Sequence, residues 1–292
     1  MAGRLLRVGA AQFASTVGAL DANVDRHLHW IGRGRAVGLD LMVMPELSLT
    51  GHHGTEDLLN AAIRRTDPRL KRLAEAAGPM AVVIGFIEEG PAAQFYNAAA
   101  ILHHGRLAYL HRKVNLPTYG LLEEGKHFAS GRFVDTHALD ADWRAGLLIC
   151  ADLWNPALTH LAFLHGATLL LAPVSSALEA VGARFDNPGG WALTMRFYAM
   201  MYGAPAIMVN RTGTEGELSF WGGSRILDPF GQTLAEAGPD EALITADLDY
   251  DALRRARQQL PTVRDSNIAL VHRETERLIG KLGVPEFIRD DG

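Results

Sequence analysis

Short apolar runs and longer stretches of helical spacing alternate along the chain almost from end to end. The runs at residues 5–12, 39–44, 80–88, 143–150, 168–174, 206–210 and 243–248 predict strands. Between them, residues 21–37, 58–77, 155–165 and 191–202 carry helical spacing. Asp21 opens the first of these and Gly38 stops it, although Gly32 and Gly34 each weaken it by about 1 kcal/mol relative to alanine. Residues 96–102 and 106–111 predict a hairpin turned at His104-Gly105, and residues 219–226 and 232–235 flank Asp228-Pro229-Phe230-Gly231, a good turn sequence. A polar, arginine-rich helical tail closes the chain. Runs as purely apolar as 39–44 and 168–174 imply sheets covered on both faces, and strand–helix alternation with hairpins mixed in implies a layered α/β architecture. No linker-like stretch interrupts residues 5–248, so the expectation is one domain over residues 1–250 with a C-terminal helical extension over 251–292.

Composition narrows the classes. The chain has 292 residues, 48% hydrophobic and 21% charged, an ordinary globular balance that argues against disorder or a coiled coil. Its net charge of −5 provides no strong positive field for a nucleic-acid backbone. A single cysteine excludes an intramolecular disulfide and a zinc ribbon and fits a reducing compartment. Arg7 interrupts the apolar stretch near the start, so a cleaved signal is not expected, and no run approaches the roughly 20 apolar residues needed to span a bilayer. A cytoplasmic protein with no nucleic-acid or membrane partner is the expectation.

Three residues could carry chemistry. Cys150 ends an apolar strand and begins a turn before a helix, where the backbone N–H of Ala151 is free to bind an oxyanion. The bland alternative is a buried thiol behaving as a small hydrophobe. Glu46 emerges directly from the run 39–45 and could act as a base, or be an ordinary loop glutamate. Lys113 lies after the hairpin, where an isolated lysine is most often solvated. Twelve histidines include no metal-binding pair of the HExxH kind, and His52-His53 and His103-His104 read as surface turns, so neither a metal nor an organic cofactor is expected.

Taken together, MPELSLTG around Glu46, HRKVNLPTYG around Lys113 and GLLICADLW around Cys150 resemble, in that order, the nitrilase superfamily of carbon–nitrogen hydrolases. AAQF, GFIEE, YNAAAIL, YGLLEEGKHFASG, LLLAPVSS and GGSRILDPFG extend the likeness over nearly the whole chain. The resemblance implies a four-layer αββα sandwich, a Glu-Lys-Cys triad at Glu46, Lys113 and Cys150, and a supporting glutamate four residues before Phe128. That place is Glu124, with Glu123 adjacent. It also implies a thioester on Cys150, pairing into homodimers or larger assemblies, and a tail over residues 254–289 that reaches a neighbour. The helix carrying Phe197, Met200 and Met201 is the candidate seam. From the residues themselves, cationic Lys113 beside the sulfur is expected to lower the thiol pKa.

Within that family, CADLW with PTYGLLEE upstream looks closest to the glutaminase portion of glutamine-dependent NAD synthetases. The usual glutamate after the cysteine is replaced by Ala151, which puts glutamine specificity in doubt, and no synthetase half follows. The expected activity is a stand-alone amidase acting on a small linear amide or N-carbamoyl compound. A nitrilase, an amide-forming acyltransferase and a non-catalytic binding subunit are the alternatives; a papain-like protease is disfavoured because no CGSCW-like string surrounds Cys150. Position alone nominates Ala151, Trp154, Ser175, Ser176 and Tyr119 as substrate-binding residues, with the loop from Phe185 to Trp191 as wall or lid.

Overall fold

The structure, a computed structural model, describes residues 5–51, 58–182 and 184–282. In the first half of the chain, β1 (Leu5–Gln12), α1 (Leu20–Ala36), β2 (Leu41–Val43), the short α2 (Leu58–Ala61), α3 (Pro68–Ala77), β3 (Ala81–Glu89), β4 (Phe95–His103) and β5 (Arg106–Arg112) follow in order. The second half adds β6 (Thr136–Ala138), β7 (Arg144–Leu147), α4 (Pro156–Leu164), β8 (Leu169–Pro173), α5 (Asn187–Tyr202), β9 (Ala206–Val209), β10 (Thr212–Glu215), β11 (Leu218–Trp221), β12 (Arg225–Leu227), β13 (Thr233–Glu236), β14 (Ala242–Asp249), α6 (Tyr250–Gln259) and α7 (Ile268–Leu282).

Two six-stranded sheets result, ordered β14-β1-β2-β3-β4-β5 and β13-β12-β9-β8-β7-β6. Each has three parallel strands at its centre, β1-β2-β3 and β7-β8-β9, and antiparallel strands outside. The alternation of side chains along a strand explains why these strands are apolar throughout. Leu41 and Val43 of β2 and Leu169 and Leu171 of β8 share the core between the sheets. Met42 faces the opposite way, packing with Val24, Trp30 and Ile31 of α1 and Leu70 and Leu73 of α3. Leu170 and Ala172 face α4 and α5 through Phe163, Trp191 and Met195. The layers therefore run helix, sheet, sheet, helix, as expected. A one-residue slip of β8 would exchange its two buried sets, so packing on both faces pins the register.

Several elements depart from expectation. The helix expected over 58–77 is broken, because Asp67 caps a new helix by accepting from the Arg69 N–H and Pro68 occupies its first turn. The intervening Ile63 forms a β-bridge with Glu88. Conversely, α5 starts at Asn187 rather than 191, since the Asp186 carboxylate accepts from the Gly189 N–H and caps it. The strand expected over 219–226 becomes β11 and β12, separated by Gly222 and Gly223, both at positive φ. β6 and β10, short and of mixed polarity, were not anticipated. His103 is buried at the end of β4 instead of lying on the surface, stacked on His104 at 3.8 Å. His52-His53 and the tail beyond residue 282 lie outside the described residues. α7 buries none of its side chains. Among the described residues, no helix is long and apolar enough to cross a membrane.

Candidate active site

Glu46 follows the carboxyl end of β2, and Leu47 after it takes a left-handed backbone (φ 51°) that turns the chain sharply. This turn lies against Gly85 of β3 so closely that a Cβ there would come within 2.4 Å of the Leu47 nitrogen. Glu46 is consequently driven into the interior, 1% exposed. Lys113, one residue past β5, anchors its backbone N–H to the Asn97 carbonyl at 2.8 Å. Its ammonium donates to Glu46 Oε1 and Glu124 Oε1, both at 2.7 Å. Asn97 Nδ2 joins the same cluster, donating to Glu46 Oε1 at 2.8 Å and reaching Glu124 Oε2 at 3.4 Å. Glu46 Oε2 has no hydrogen-bond partner among the described residues.

Between the two adjacent glutamates the geometry is unambiguous. Glu124 is buried against Lys113, whereas Glu123 points outward and pairs with Lys126.

Cys150 opens a single 3₁₀ turn, residues 150–154, with its own backbone at φ 42°. Such left-handed geometry is costly for a residue with a Cβ and is held here by its surroundings. Asp152 does much of the holding. Its Oδ1 accepts from the N–H groups of Val114 (2.9 Å) and Asn115 (2.8 Å), and its Oδ2 accepts from Ile149 N–H (3.0 Å) and faces His111 Nε2 at 2.8 Å. Asn115 Nδ2 also donates to the Ala151 carbonyl at 2.7 Å. These bonds tie the cysteine turn to the segment that follows Lys113, so two remote parts of the sequence keep a fixed separation.

The electrostatics correct one expectation. The Cys150 thiol is pushed well above its ordinary pKa, first by burial and then by the negative charge of Glu46; Lys113 and a hydrogen bond from the Ser175 backbone pull the other way without prevailing. Lys113 cannot prevail because its charge is already shared by two carboxylates. Burial works against the charged form of Lys113, but Glu124 and Glu46 outweigh it and hold the ammonium well above the usual lysine value. Glu124 is pushed up to about 7 by burial, despite Lys113, with Glu46 adding to the rise. The resting cluster therefore combines a protonated thiol, a fixed ammonium and two carboxylates, one of which titrates near neutrality.

Cys150 and Glu124 open onto a narrow cavity. All five nominated pocket residues line it: Ala151, Trp154, Ser175, Ser176 and Tyr119. Trp154 and Trp191 lie with ring centroids 4.6 Å apart, and Trp191 Nε1 donates to Ser176 Oγ at 3.1 Å. Phe185 meets Trp154 at 6.1 Å and is partly exposed. A wider, shallower cleft lies between Arg65, Tyr96, Arg112 and Phe133, but none of Glu46, Cys150 or Glu124 reaches it. Sequence reasoning assigned no role to Asn97, although it is the polar residue near the start of YNAAAIL, or to Asp152, whose partners Val114, Asn115 and His111 are more than thirty residues away. Asn187, also in the cavity wall, was read as loop. Among the described residues, no group of three or more His, Cys, Asp or Glu side chains could hold a metal ion.

Fold and sequence together define the class. Residues 7–258 match the carbon-nitrogen hydrolase family, and the chain belongs to it. It is 30% identical over 254 residues to a glutamine-dependent NAD(+) synthetase of Thermotoga maritima, an alignment covering 84% of this chain and 42% of that protein. It is 32% identical over 281 residues to an (R)-stereoselective amidase of Pseudomonas sp, covering 94% of this chain and 97% of that one. The chain thus spans about half or less of the synthetases it matches and nearly all of the amidase. Among solved structures, the carbon-nitrogen hydrolase of Helicobacter pylori G27 shares the fold, with a TM-score of 0.79 at 20% identity over 91% of this chain and 97% of that one.

Proposed function

We propose that the protein hydrolyses a non-peptide carbon–nitrogen bond, in a small linear amide or an N-carbamoyl compound, through a thioester on Cys150. The observation that carries this reading is the buried Lys113 ammonium, 2.7 Å from both Glu46 and Glu124, beside the one cysteine in the chain. A binding subunit has no need of such an arrangement, because two carboxylates and an ammonium at this depth are costly to desolvate.

The unpartnered Glu46 Oε2 takes the thiol proton as Cys150 Sγ attacks the carbonyl carbon. Because the resting thiol is protonated, attack and proton transfer go together. Lys113 and the Ala151 N–H stabilise the oxyanion. The tetrahedral adduct collapses, the C–N bond breaks, and the Glu46 proton leaves on ammonia or an amine. Water then gives a proton to Glu46 and attacks the thioester; the acid departs and Cys150 recovers a proton. Glu124 holds Lys113 and the incoming water or substrate in place. No metal or cofactor enters this sequence.

Intact-protein mass spectrometry after incubation with a panel of amides, carbamoyl compounds and nitriles, quenched in acid, tests the proposal. The expected result is an acyl adduct on Cys150 with release of ammonia or amine, both absent in Cys150→Ala. Undiminished amide turnover by Cys150→Ala would defeat it, and partner binding without ammonia release from any amide would favour the assembly-subunit reading. A single cysteine used as a nucleophile further supports a reducing, cytoplasmic setting. We also propose self-association. α5 exposes Leu193, Phe197 and Met200 at helical spacing, and α7 presents Ile268, Val271, Leu278 and Leu282 with no buried side chain of its own. Sedimentation of the full chain should show a dimer or larger species.

A further inference from the structure

One residue of the cavity wall carries an unsatisfied group. Asn187, at the start of α5, is 2% exposed and lines the cavity. Its Nδ2 donates to the Ala177 carbonyl at 2.6 Å. A carbonyl oxygen only accepts, so this bond fixes which end of the amide is which. The remaining atom, Oδ1, is buried and has no partner among the described residues. Buried acceptors are rarely left so, and this one belongs to a cavity wall that sets apolar Leu122, Trp154, Val181 and Trp191 beside polar Glu124, Ser175 and Ser176. Ser176 Oγ, which accepts from Trp191 Nε1, keeps its own O–H and a second lone pair.

The cavity also has no charge to spare. Glu124 is the one carboxylate lining it, and that side chain is committed to Lys113. Arg184, on the loop before α5, is exposed and is not part of the wall. A zwitterionic amide such as glutamine would have to bury an ammonium and a carboxylate here without counter-charges.

We infer that Asn187 Oδ1 reads a second N–H or O–H donor on the substrate, and that the site takes neutral amides carrying such a donor in preference to glutamine. This rests on the hydrolase reading above and names its substrate class. A buried acceptor left unpaired by a donorless substrate penalises that substrate more than an apolar wall could.

The test is ammonia release from two matched pairs: N-acetylglycinamide and N-acetyl-β-alaninamide, each against the ester analogue in which the internal N–H is replaced by oxygen. For the member of suitable length, kcat/KM in the wild-type protein should favour the N–H compound by about 10- to 100-fold, and both amides should exceed glutamine. In Asn187→Leu the preference for the N–H compound over its ester should fall to near one, with the fold of the variant checked separately by thermal unfolding. Wild-type ratios near one in both pairs, or glutamine as the better substrate, would overturn the inference without touching the hydrolase reading. So would equal losses on both members in Asn187→Leu. Ammonia from no amide at all would remove the hydrolase reading and this inference with it.

Discussion

Arg112 and Lys113 are neighbours in the chain, yet their charges occupy opposite kinds of surroundings. Arg112 binds Glu88 through Nε and Nη2 at 2.7 and 3.0 Å, and Arg65 reaches the same carboxylate at 2.9 Å. Two cations share one anion there, with the Arg65 side chain 53% exposed and that of Arg112 24% exposed. Around Lys113 the stoichiometry is inverted, since two anions share one cation and none of the three side chains is more than 7% exposed. Both clusters have short, well-formed bonds. Water reaches the two arginines of the outer cluster, although Glu88 itself is buried, whereas the inner three side chains are all withdrawn from it, and burial, with Glu46 adding to the rise, lifts Glu124 to about 7. The two ion clusters thus differ less in their bonds than in what surrounds them.

The largest contrast should come from removing the shared partner. Lys113→Met leaves two carboxylates facing each other without a cation, and we expect a loss of about 3–5 kcal/mol in urea unfolding together with loss of amide turnover. Arg65→Met, at the rim of the outer cluster, should cost only about 0–1 kcal/mol and leave turnover intact. Comparable losses in the two variants would erase the distinction drawn here.

The second prediction concerns pH. Glu124 is raised from its ordinary value to about 7, so the folded protein holds a proton that the unfolded chain releases. This contribution to stability is fully present below the ordinary carboxylate range and is lost as pH rises through about 7. Replacing Glu124 with Gln should flatten the fall in stability between roughly pH 4.5 and 7.5 by on the order of 2–3 kcal/mol, read as the wild-type-minus-variant difference in unfolding free energy. A difference independent of pH would mean that Glu124 does not carry the proton. The smallest effect sharpens the other side: 1 M salt should reduce the contribution of Arg65 by no more than about 0.5 kcal/mol and leave the Lys113 cluster unchanged, as a double-mutant cycle at two ionic strengths would show.

The layers, and most strand positions, could be read along the chain because each central strand must satisfy two buried faces at once, and β1 was located to the residue. Glu46, Lys113 and Cys150 were legible as candidates, since each stands beside a recognisable string, and the structure brings Lys113 within 2.7 Å of Glu46. Glu124 could not be separated from Glu123 in that way. Only the turn after Pro117 decides it, with the Glu124 N–H donating to the Pro117 carbonyl at 3.1 Å and its side chain turned inward. Asn97 and Asp152 went unassigned because most of their partners lie far along the chain. The break before Pro68 was missed because Ile63 gains a sheet partner in Glu88 that helical spacing cannot foresee.

Local pattern was therefore enough for the layered architecture and for the family to which the chain belongs, although the strand expected to end at Cys150 stops at Leu147 and leaves the cysteine in the turn beyond it. It could not supply the protonation state of that cysteine. Proximity of Lys113 alone argues for a lowered thiol pKa, and the folded molecule reverses the net shift by burying the thiol and by setting it near the Glu46 carboxylate, while Lys113 still pulls downward. Periodicity and propensity act over a few residues and are written in the order of the chain. Desolvation and Coulomb interactions depend on which distant segments share a small volume, and that is settled only when the sheets pack.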